Sequence, residues 1–138
     1  MEKTLVLIKP DAYKKHHTGD IIKRYEDEGL TILAMRLMKM TEEVAAKHYE
    51  EHIGRPYYAE LESFMTSGPI VAMVLAGKDV TRKVRDLNGK TDPKEAAPGT
   101  IRQLYAASKG ENAVHASDSP ESAAREIHIF FNETEIFD

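Results

Sequence analysis

Four short apolar runs, separated by stretches with helical periodicity, limit what this chain can fold into. The clearest run is Ile70–Leu75, and Thr4–Ile8 and Thr31–Met38 have the same character, while Val114–His115 is much shorter. Apolar runs of this length between Pro, Gly, Asn or Asp residues are typical of buried strands. The sequence therefore predicts a small sheet of four strands.

The segments between these runs carry the signals of amphipathic helices. A helical pattern extends from Asp20 to a stop at Gly29, and Thr41 is an N-cap followed by two glutamates. Further helices are predicted after Pro56, from an N-cap at Asp79, and from Ser119, which precedes a proline. The order β-α-β-α-α-β-α-loop-β-α predicts one sheet covered by helices. Periodicity leaves open whether the sheet is parallel or antiparallel.

Length and charge narrow the class of protein. A chain of 138 residues without repeats or a linker predicts one domain, residues 1–138. The net charge of −4 argues against a nucleic-acid partner, because nucleic-acid-binding proteins usually carry an excess of basic residues. A few focused Lys and Arg residues could still hold phosphates. The N-terminal segment lacks a signal-peptide pattern, and the apolar stretch Ile70–Ala76 is too short to cross a bilayer. We expect a cytoplasmic protein with no membrane partner.

His115 is the residue whose local sequence best fits a reactive group. It follows an apolar pair and precedes a Ser- and Asp-rich segment at the start of the last helix. Two interpretations remain open at this point: a buried core histidine, or a nucleophile that captures a phosphoryl group. A phosphoryl site also needs cations and hydrogen-bond donors, and the candidates are Lys9, Arg85, Thr91 and Arg102. This pattern supports phosphate handling but names no reaction.

The other motifs in the sequence give weaker indications of function than His115 does. The chain has no glycine-rich phosphate loop followed by Lys-Ser/Thr and no Gly-x-Gly-x-x-Gly. His48 and His52 could share a helix face as metal ligands, but a partly exposed helix is the favoured interpretation. The paired histidines His16 and His17 fit a solvated turn. The irregular stretch Asn88–Gly99 is long for a connection in a compact domain, which is often a sign of function.

Seven segments, in consistent order and spacing, resemble the nucleoside diphosphate kinase family along nearly the whole chain. They are Thr4–Asp11, His48-Tyr49, Arg55–Tyr58, Met65–Pro69, Gly89–Pro93, Pro98–Arg102 and Asn112–Ser119, the last followed by Glu121-Ser122-Ala123. Each segment alone is a weak signal, but together they are specific. The resemblance implies an α/β (α+β) fold, a ferredoxin-like four-stranded antiparallel sheet covered by helices.

The resemblance also implies a reaction: reversible transfer of the terminal phosphate from a nucleoside triphosphate, typically ATP, to a nucleoside diphosphate. The reaction would be ping-pong through a phosphohistidine on His115, with Glu126 and Ser117 orienting the histidine and Lys9 as a further catalytic residue. Tyr57 matches a position, usually phenylalanine, that stacks on the base. The residues that match nucleotide-binding positions are Lys9, Tyr49, Tyr57, Arg85, Thr91, Arg102 and Asn112.

Cofactors and partners follow from the same resemblance. Mg²⁺ would be held mainly by the nucleotide phosphates, with no metal ligands expected from protein side chains. The partners would be nucleoside di- and triphosphates and further copies of the chain, as a homo-oligomer, a tetramer or hexamer built from dimers. An alternative is a turnover-deficient nucleotide-binding or signalling module of the same fold. The retained residues His115, Lys9, Arg102 and Asn112 argue against that alternative.

Three features depart from the family pattern. Glu111 stands where arginine is common and is expected to bring a negative charge near a phosphate site. Ala116 replaces the usual glycine after the histidine, and Gln103–Ser108 replaces a more usual Gly-Asp-Phe stretch. None of the three removes a residue matched to catalysis.

Overall fold

The computed structural model describes all residues from Met1 to Asp138. Its centre is one four-stranded antiparallel sheet in the order β2-β3-β1-β4. The strands are β1, Glu2–Ile8; β2, Thr31–Lys39; β3, Pro69–Gly77; and β4, Val114–Ala116. All four strands coincide closely with the predicted runs, and the antiparallel arrangement that the resemblance implied is confirmed.

Seven α-helices surround the sheet. They are α1, Pro10–Lys14; α2, Thr18–Asp27; α3, Glu42–His48; α4, Tyr58–Met65; α5, Val80–Asn88; α6, Ile101–Tyr105; and α7, Pro120–Phe130. Short 3₁₀ turns cover Glu50–His52 and Glu133–Glu135. Helix α1 is absent from the predicted order of elements, in which the first helix begins at Asp20. Pro10 in fact occupies the first helical position, where the missing N–H costs nothing.

Two apolar cores lie on opposite faces of the sheet. Leu5 and Leu7 of β1 pack with α7 residues such as Ile127 in one core. Val6 and Ile8, which alternate with them, pack in the other core, as expected for a strand buried on both faces. The central strands are therefore held from both sides, which fixes the ends of β1 and β4. No helix is both long and apolar enough to cross a membrane.

The helix caps agree with the sequence at two predicted places and differ at a third. Thr41 accepts a hydrogen bond from the backbone N–H of Val44 (3.1 Å), and Ser119 begins α7 as predicted. Asp79 does not cap α5, because its backbone is left-handed (φ 54°) and its side chain pairs with Arg82. The Glu2 carboxylate accepts the N–H of Thr81 instead (2.9 Å). The cap of α5 thus comes from the other end of β1.

Candidate functional site

A cavity of about 320 Å³ opens where β1 and β4 end beside α7. Nine of the ten residues in the predicted site contribute to its wall or lie directly behind it. The lining residues include Lys9, Tyr49, Arg85, Thr91, Arg102, Asn112, His115 and Glu126. Residues distant in sequence are therefore brought together around one small polar cavity, as expected if they share a ligand.

His115 is held by a short chain of hydrogen bonds. Its Nε2 lies 2.7 Å from Oε1 of Glu126, and the same oxygen accepts a hydrogen bond from Oγ of Ser117 (3.1 Å). Ser117 in turn accepts the backbone N–H of Leu5 (3.3 Å). Ser117 and Glu126 are buried. The imidazole orientation is thereby tied to the backbone of the central strand β1.

This arrangement decides which ring nitrogen is free. A carboxylate can only accept, so in the neutral ring Nε2 carries the hydrogen and Nδ1 keeps its lone pair. Burial lowers the pKa of His115 below its ordinary value, and the Glu126 partner opposes that shift only in part. His115 is therefore neutral near pH 7, with Nδ1 available as a nucleophile.

Lys9 and Asn112 form a second pair at the cavity wall. Nζ of Lys9 donates to Oδ1 of Asn112 (2.8 Å), and Nδ2 of Asn112 donates to the backbone oxygen of Thr91 (3.3 Å). Burial, reinforced by the Arg102 charge, lowers the pKa of Lys9 to about 8. A buried ammonium with one neutral partner retains donors and charge for an anionic ligand.

The backbone conformation beside Asn112 is stabilised by Asp11, a residue that the sequence analysis assigned no role. Ala113 has a left-handed φ of 73° although it is not glycine. Its N–H is accepted by the buried carboxylate of Asp11 (3.0 Å), and its oxygen accepts the N–H of Lys9 (2.8 Å). Asp11 falls inside one of the matching segments, but its partner lies 102 positions away. Local sequence could not reveal that contact.

Arg102 joins the loop after α5 to β4. Its guanidinium donates to the backbone oxygens of Gly89 and Val114, both at 2.8 Å, while Nε is buried without a partner. Arg85, by contrast, is exposed at the mouth and forms no ion pair. One cation is thus fixed in the cavity wall and another is free to meet a ligand at the rim.

Tyr49 and His48 line the back of the cavity. The hydroxyl of Tyr49 is buried and unpartnered, and burial raises the pKa of Tyr49, so it remains a donor. The expectation of a partly exposed His48 was wrong: it is 5% exposed, with its ring edge-on to His115 at 4.6 Å between centroids. Burial, helped by His115, lowers the pKa of His48 to about 2. His48 is thus a neutral packing partner of His115.

His48 and His52 do not pair as metal ligands. His52 lies beyond the end of α3 in the 3₁₀ turn and is hydrogen-bonded to Tyr57. His48, His115 and Glu126 do bring potential ligand atoms within 4.8 Å of one another. Lys9 and Arg102 line the same cavity, and two cationic side chains beside this cluster favour anions over metal cations there.

Tyr57 lies apart from the other predicted residues. It lines a neighbouring cavity of about 410 Å³ with Leu61, Phe64 and Glu111. Glu111 therefore lines the same cavity as Tyr57 and is absent from the wall of the cavity around His115. Ala116 is buried at the edge of the His115 cavity. The site thus has a small cationic part and a larger part with an aromatic wall.

The chemical possibilities of this arrangement are narrow. Cations and unpartnered donors surround one neutral, oriented imidazole, and an aromatic surface lies alongside. Such a site can bind a molecule with several negative charges and a flat ring, and can form a covalent bond at Nδ1 of His115.

Comparison with known proteins gives one consistent result. The family model described as nucleoside diphosphate kinase matches residues 2–136. A nucleoside diphosphate kinase of Bacillus licheniformis is 52% identical over 136 residues, which cover 99% of this chain and 92% of the relative.

Solved structures agree with that match. The Aquifex aeolicus nucleoside diphosphate kinase superposes with a TM-score of 0.95 at 46% identity, covering 98% of both chains. A halophilic nucleoside diphosphate kinase from Halobacterium salinarum, in complex with CDP, gives a TM-score of 0.96 at 45% identity, covering 99% of this chain and 91% of that one.

Proposed function

This chain belongs to the nucleoside diphosphate kinase family, and from that premise we propose that His115 carries the phosphate between its nucleotide substrates. The enzyme moves the terminal phosphate of a nucleoside triphosphate, typically ATP, to a nucleoside diphosphate. The observation that carries the residue assignment is the hydrogen bond from His115 Nε2 to Glu126 (2.7 Å), because it leaves Nδ1 free beside a cationic cavity.

The proposed reaction has two half-steps. Nδ1 of His115 attacks the terminal phosphorus, the bond from phosphorus to the bridging oxygen breaks, and the diphosphate leaves. Glu126 stabilises the positive charge that develops on the ring, and Ser117 holds that carboxylate in place. A second nucleoside diphosphate then attacks the phosphohistidine, and His115 returns to its neutral form. This sequence predicts ping-pong kinetics.

The other predicted residues are assigned to the nucleotide. Phosphate oxygens would be held by Lys9, Tyr49, Arg85, Thr91 and Arg102, and the sugar hydroxyls would be contacted by Asn112 together with Lys9. Support comes from the free donor of Tyr49, the unpaired Arg85 and the Lys9–Asn112 hydrogen bond. Tyr57 would stack on the base. Stacking and phosphate contacts read features that all nucleotides share, so base selectivity is expected to be low.

We propose Mg²⁺ as the cofactor, held mainly by the phosphates of the nucleotide. The residues present fit this arrangement: Glu126 is engaged with His115 and Ser117, and the other carboxylates at the cavity, Glu51 and Asp118, are exposed at the mouth. When bound, the ion would neutralise part of the charge on the phosphates. Turnover is expected to stop when EDTA removes the metal and to return when Mg²⁺ is added.

We propose a homo-oligomer built from dimers, a tetramer or hexamer. Support comes from the edge strand β2, where Met35 and Leu37 are 53% and 57% exposed on the same face. Apolar side chains next to the unpaired hydrogen-bonding groups of an edge strand promote association with another chain.

A cytoplasmic location is proposed because the nucleotide substrates are found there. Fractionation of cells with an antibody to the chain would test it.

Intact-protein mass spectrometry tests the role of His115 directly. After brief mixing with ATP and Mg²⁺ near neutral pH, without acid, the protein is expected to gain one phosphoryl group. Addition of a nucleoside diphosphate should remove it. His115→Ala should abolish the adduct while ADP binding remains measurable by calorimetry, and the surface variant His128→Ala serves as its control.

The alternative is a turnover-deficient nucleotide-binding module of the same fold. That alternative would be favoured by bound ATP without any phosphoryl adduct on the wild-type protein. A phosphoryl adduct on the His115→Ala variant would instead remove His115 from the mechanism while leaving the activity of the family intact.

A further inference from the structure

Tyr57 presents its ring on a loop at the surface. The side chain is 48% exposed, and the residue directly precedes α4. An exposed aromatic ring on a loop normally samples several rotamers. Fixing it upon binding costs conformational entropy, which lowers affinity. An aromatic ring therefore binds a base more tightly when the free protein already holds that ring in its binding orientation.

The hydroxyl of Tyr57 supplies such a constraint. Its oxygen lies 2.5 Å from Nδ1 of His52, and the two rings are 5.7 Å apart at 63°. The contact closes the loop between them, in which Gly54 provides a positive φ of 88° and the N–H of Arg55 donates to the oxygen of His52 (3.0 Å). Both ends of this side-chain bridge therefore rest on a tight turn.

His52 is itself part of the wall of the first cavity. It lines the same 320 Å³ cavity as His115, whereas Tyr57 lines the neighbouring 410 Å³ cavity. Its ring lies edge-on to Tyr49, with centroids 6.0 Å apart. His52 thus stands where the cationic cavity and the aromatic cavity meet, and it connects the two parts of the site.

We propose that His52 is a positioning residue for the base of the nucleotide. Its Nδ1 holds the ring of Tyr57 in the orientation that forms the wall of the second cavity, and it does not touch the phosphates or the reacting atoms. This inference rests on the proposed assignment of Tyr57 to the base. A base contact is equal in the ground state and the transition state, so it acts on affinity and not on the chemical step.

A double-mutant cycle tests the proposal. Binding of ADP is measured by isothermal titration calorimetry for the wild type, His52→Ala, Tyr57→Phe and the double variant. Loss of one hydrogen bond predicts that His52→Ala raises the Kd of ADP about three- to tenfold, with kcat changed by less than about twofold. In the Tyr57→Phe background, His52→Ala should have no further effect. His52→Gln, which keeps a hydrogen-bonding group, should restore part of the affinity.

Two controls separate positioning from general damage. Inorganic pyrophosphate has no base, so its binding should be unchanged by His52→Ala. His128→Ala removes an exposed histidine on α7 that contacts neither cavity around His115 or Tyr57, and it should leave ADP affinity unchanged.

Three results would overturn the inference: unchanged ADP affinity in His52→Ala, an equal loss in the Tyr57→Phe background, or a matching loss of pyrophosphate binding. The proposed role of His115 fails separately, if no phosphoryl adduct forms. Calorimetry measures ADP binding without turnover. The test of His52 can therefore be interpreted whether or not His115 is phosphorylated.

Discussion

At the scale of single residues, one carboxylate oxygen of Glu126 holds two side chains of the site in place. Oε1 of Glu126 accepts hydrogen bonds from both His115 and Ser117, inside a buried environment. Charge-assisted hydrogen bonds in such surroundings are stronger than neutral ones. The same oxygen fixes the tautomer of the imidazole and is positioned to stabilise the charge that develops on it.

Glu126→Ala should therefore slow phosphorylation of His115 by about 10- to 150-fold, the equivalent of one charge-assisted hydrogen bond. Single-turnover mixing with ATP, read by mass spectrometry, measures that rate. Glu121→Ala, an exposed glutamate on the same helix, is the matched control and should keep the wild-type rate. Equal rates for the two variants would exclude Glu126 from the step.

The pH dependence follows from the two shifted groups. Because burial lowers the pKa of His115 below its ordinary value, the ring is neutral and reactive near pH 7. Lys9 is charged only below its pKa of about 8, so more alkaline solutions remove a cation from the site. We expect kcat/KM for ATP to be near its maximum around pH 7 and to fall as the pH rises through about 8.

Lys9→Arg identifies the group behind the alkaline fall. An arginine side chain keeps its charge throughout this range, so the fall should move to higher pH even if the larger group lowers the maximum. An alkaline fall at the same pH in this variant would assign it to a different residue.

At the scale of elements, the loop after α5 is anchored by Gly89. Gly89 has φ 84° and ψ 179°, a conformation that other residues rarely adopt, and its oxygen accepts the guanidinium of Arg102. A Cβ at this position would lie 2.6 Å from Oγ1 of Thr100. The position thus fixes the loop against α6 and sets the placement of Arg102 in the cavity wall.

Gly89→Ala should lower the free energy of unfolding by about 2 to 4 kcal/mol, through backbone strain and the clash with Thr100. It should also weaken ADP binding, because Arg102 loses its anchor. Gly29→Ala is the matched control: φ is 80° but nothing lies within 4 Å of the added Cβ, so a loss of about 1 kcal/mol is expected. Urea unfolding measures the free energy of unfolding of both variants. Equal losses would show that the contact with Thr100 relaxes without a further loss of stability.

The sequence predicted elements whose signals are local and missed those set by distant contacts. The strands and the caps at Thr41 and Ser119 depend on neighbouring residues, and all were predicted. The cap of α5 could not be, because it comes from Glu2, 79 positions before Thr81. His48 was misjudged because its burial depends on packing against His115 and Phe130, which belong to other elements.

The predicted site shows the same limit. Local patterns suggested His115 and a set of cations, but the roles came from the resemblance to a family and not from spacing. The partner of Asp11 and the bridge between His52 and Tyr57 were visible only in three dimensions, since the residue types involved have many other uses in proteins.

At the scale of the whole molecule, one side of the sheet is less completely covered than the other. Met35 and Leu37 pair with Met73 and Val71 of β3, which belong to the buried core on that face. The two exposed side chains on β2 therefore extend the apolar surface of that core to the edge of the sheet. A second copy of the chain would be able to cover both the surface and the open strand edge.

Leu37→Glu should weaken the proposed assembly, because a charge would be buried between copies. Sedimentation velocity is expected to show a shift from oligomer to smaller species, with the wild-type spectrum of circular dichroism retained. Glu43→Gln, an exposed change on α3, is the control. A wild-type that sediments as a monomer would contradict the proposed oligomer itself.

The chain of hydrogen bonds from Leu5 through Ser117 and Glu126 to His115 has a consequence for folding. Leu5 and Ser117 are 112 positions apart, and Lys9 and Asn112 are 103 apart. Such contacts form only when both ends of the polypeptide have met, which is a slow event in refolding. A partly refolded molecule therefore lacks the oriented imidazole, and the recovery of phosphoryl uptake marks the moment at which the first and last strands join.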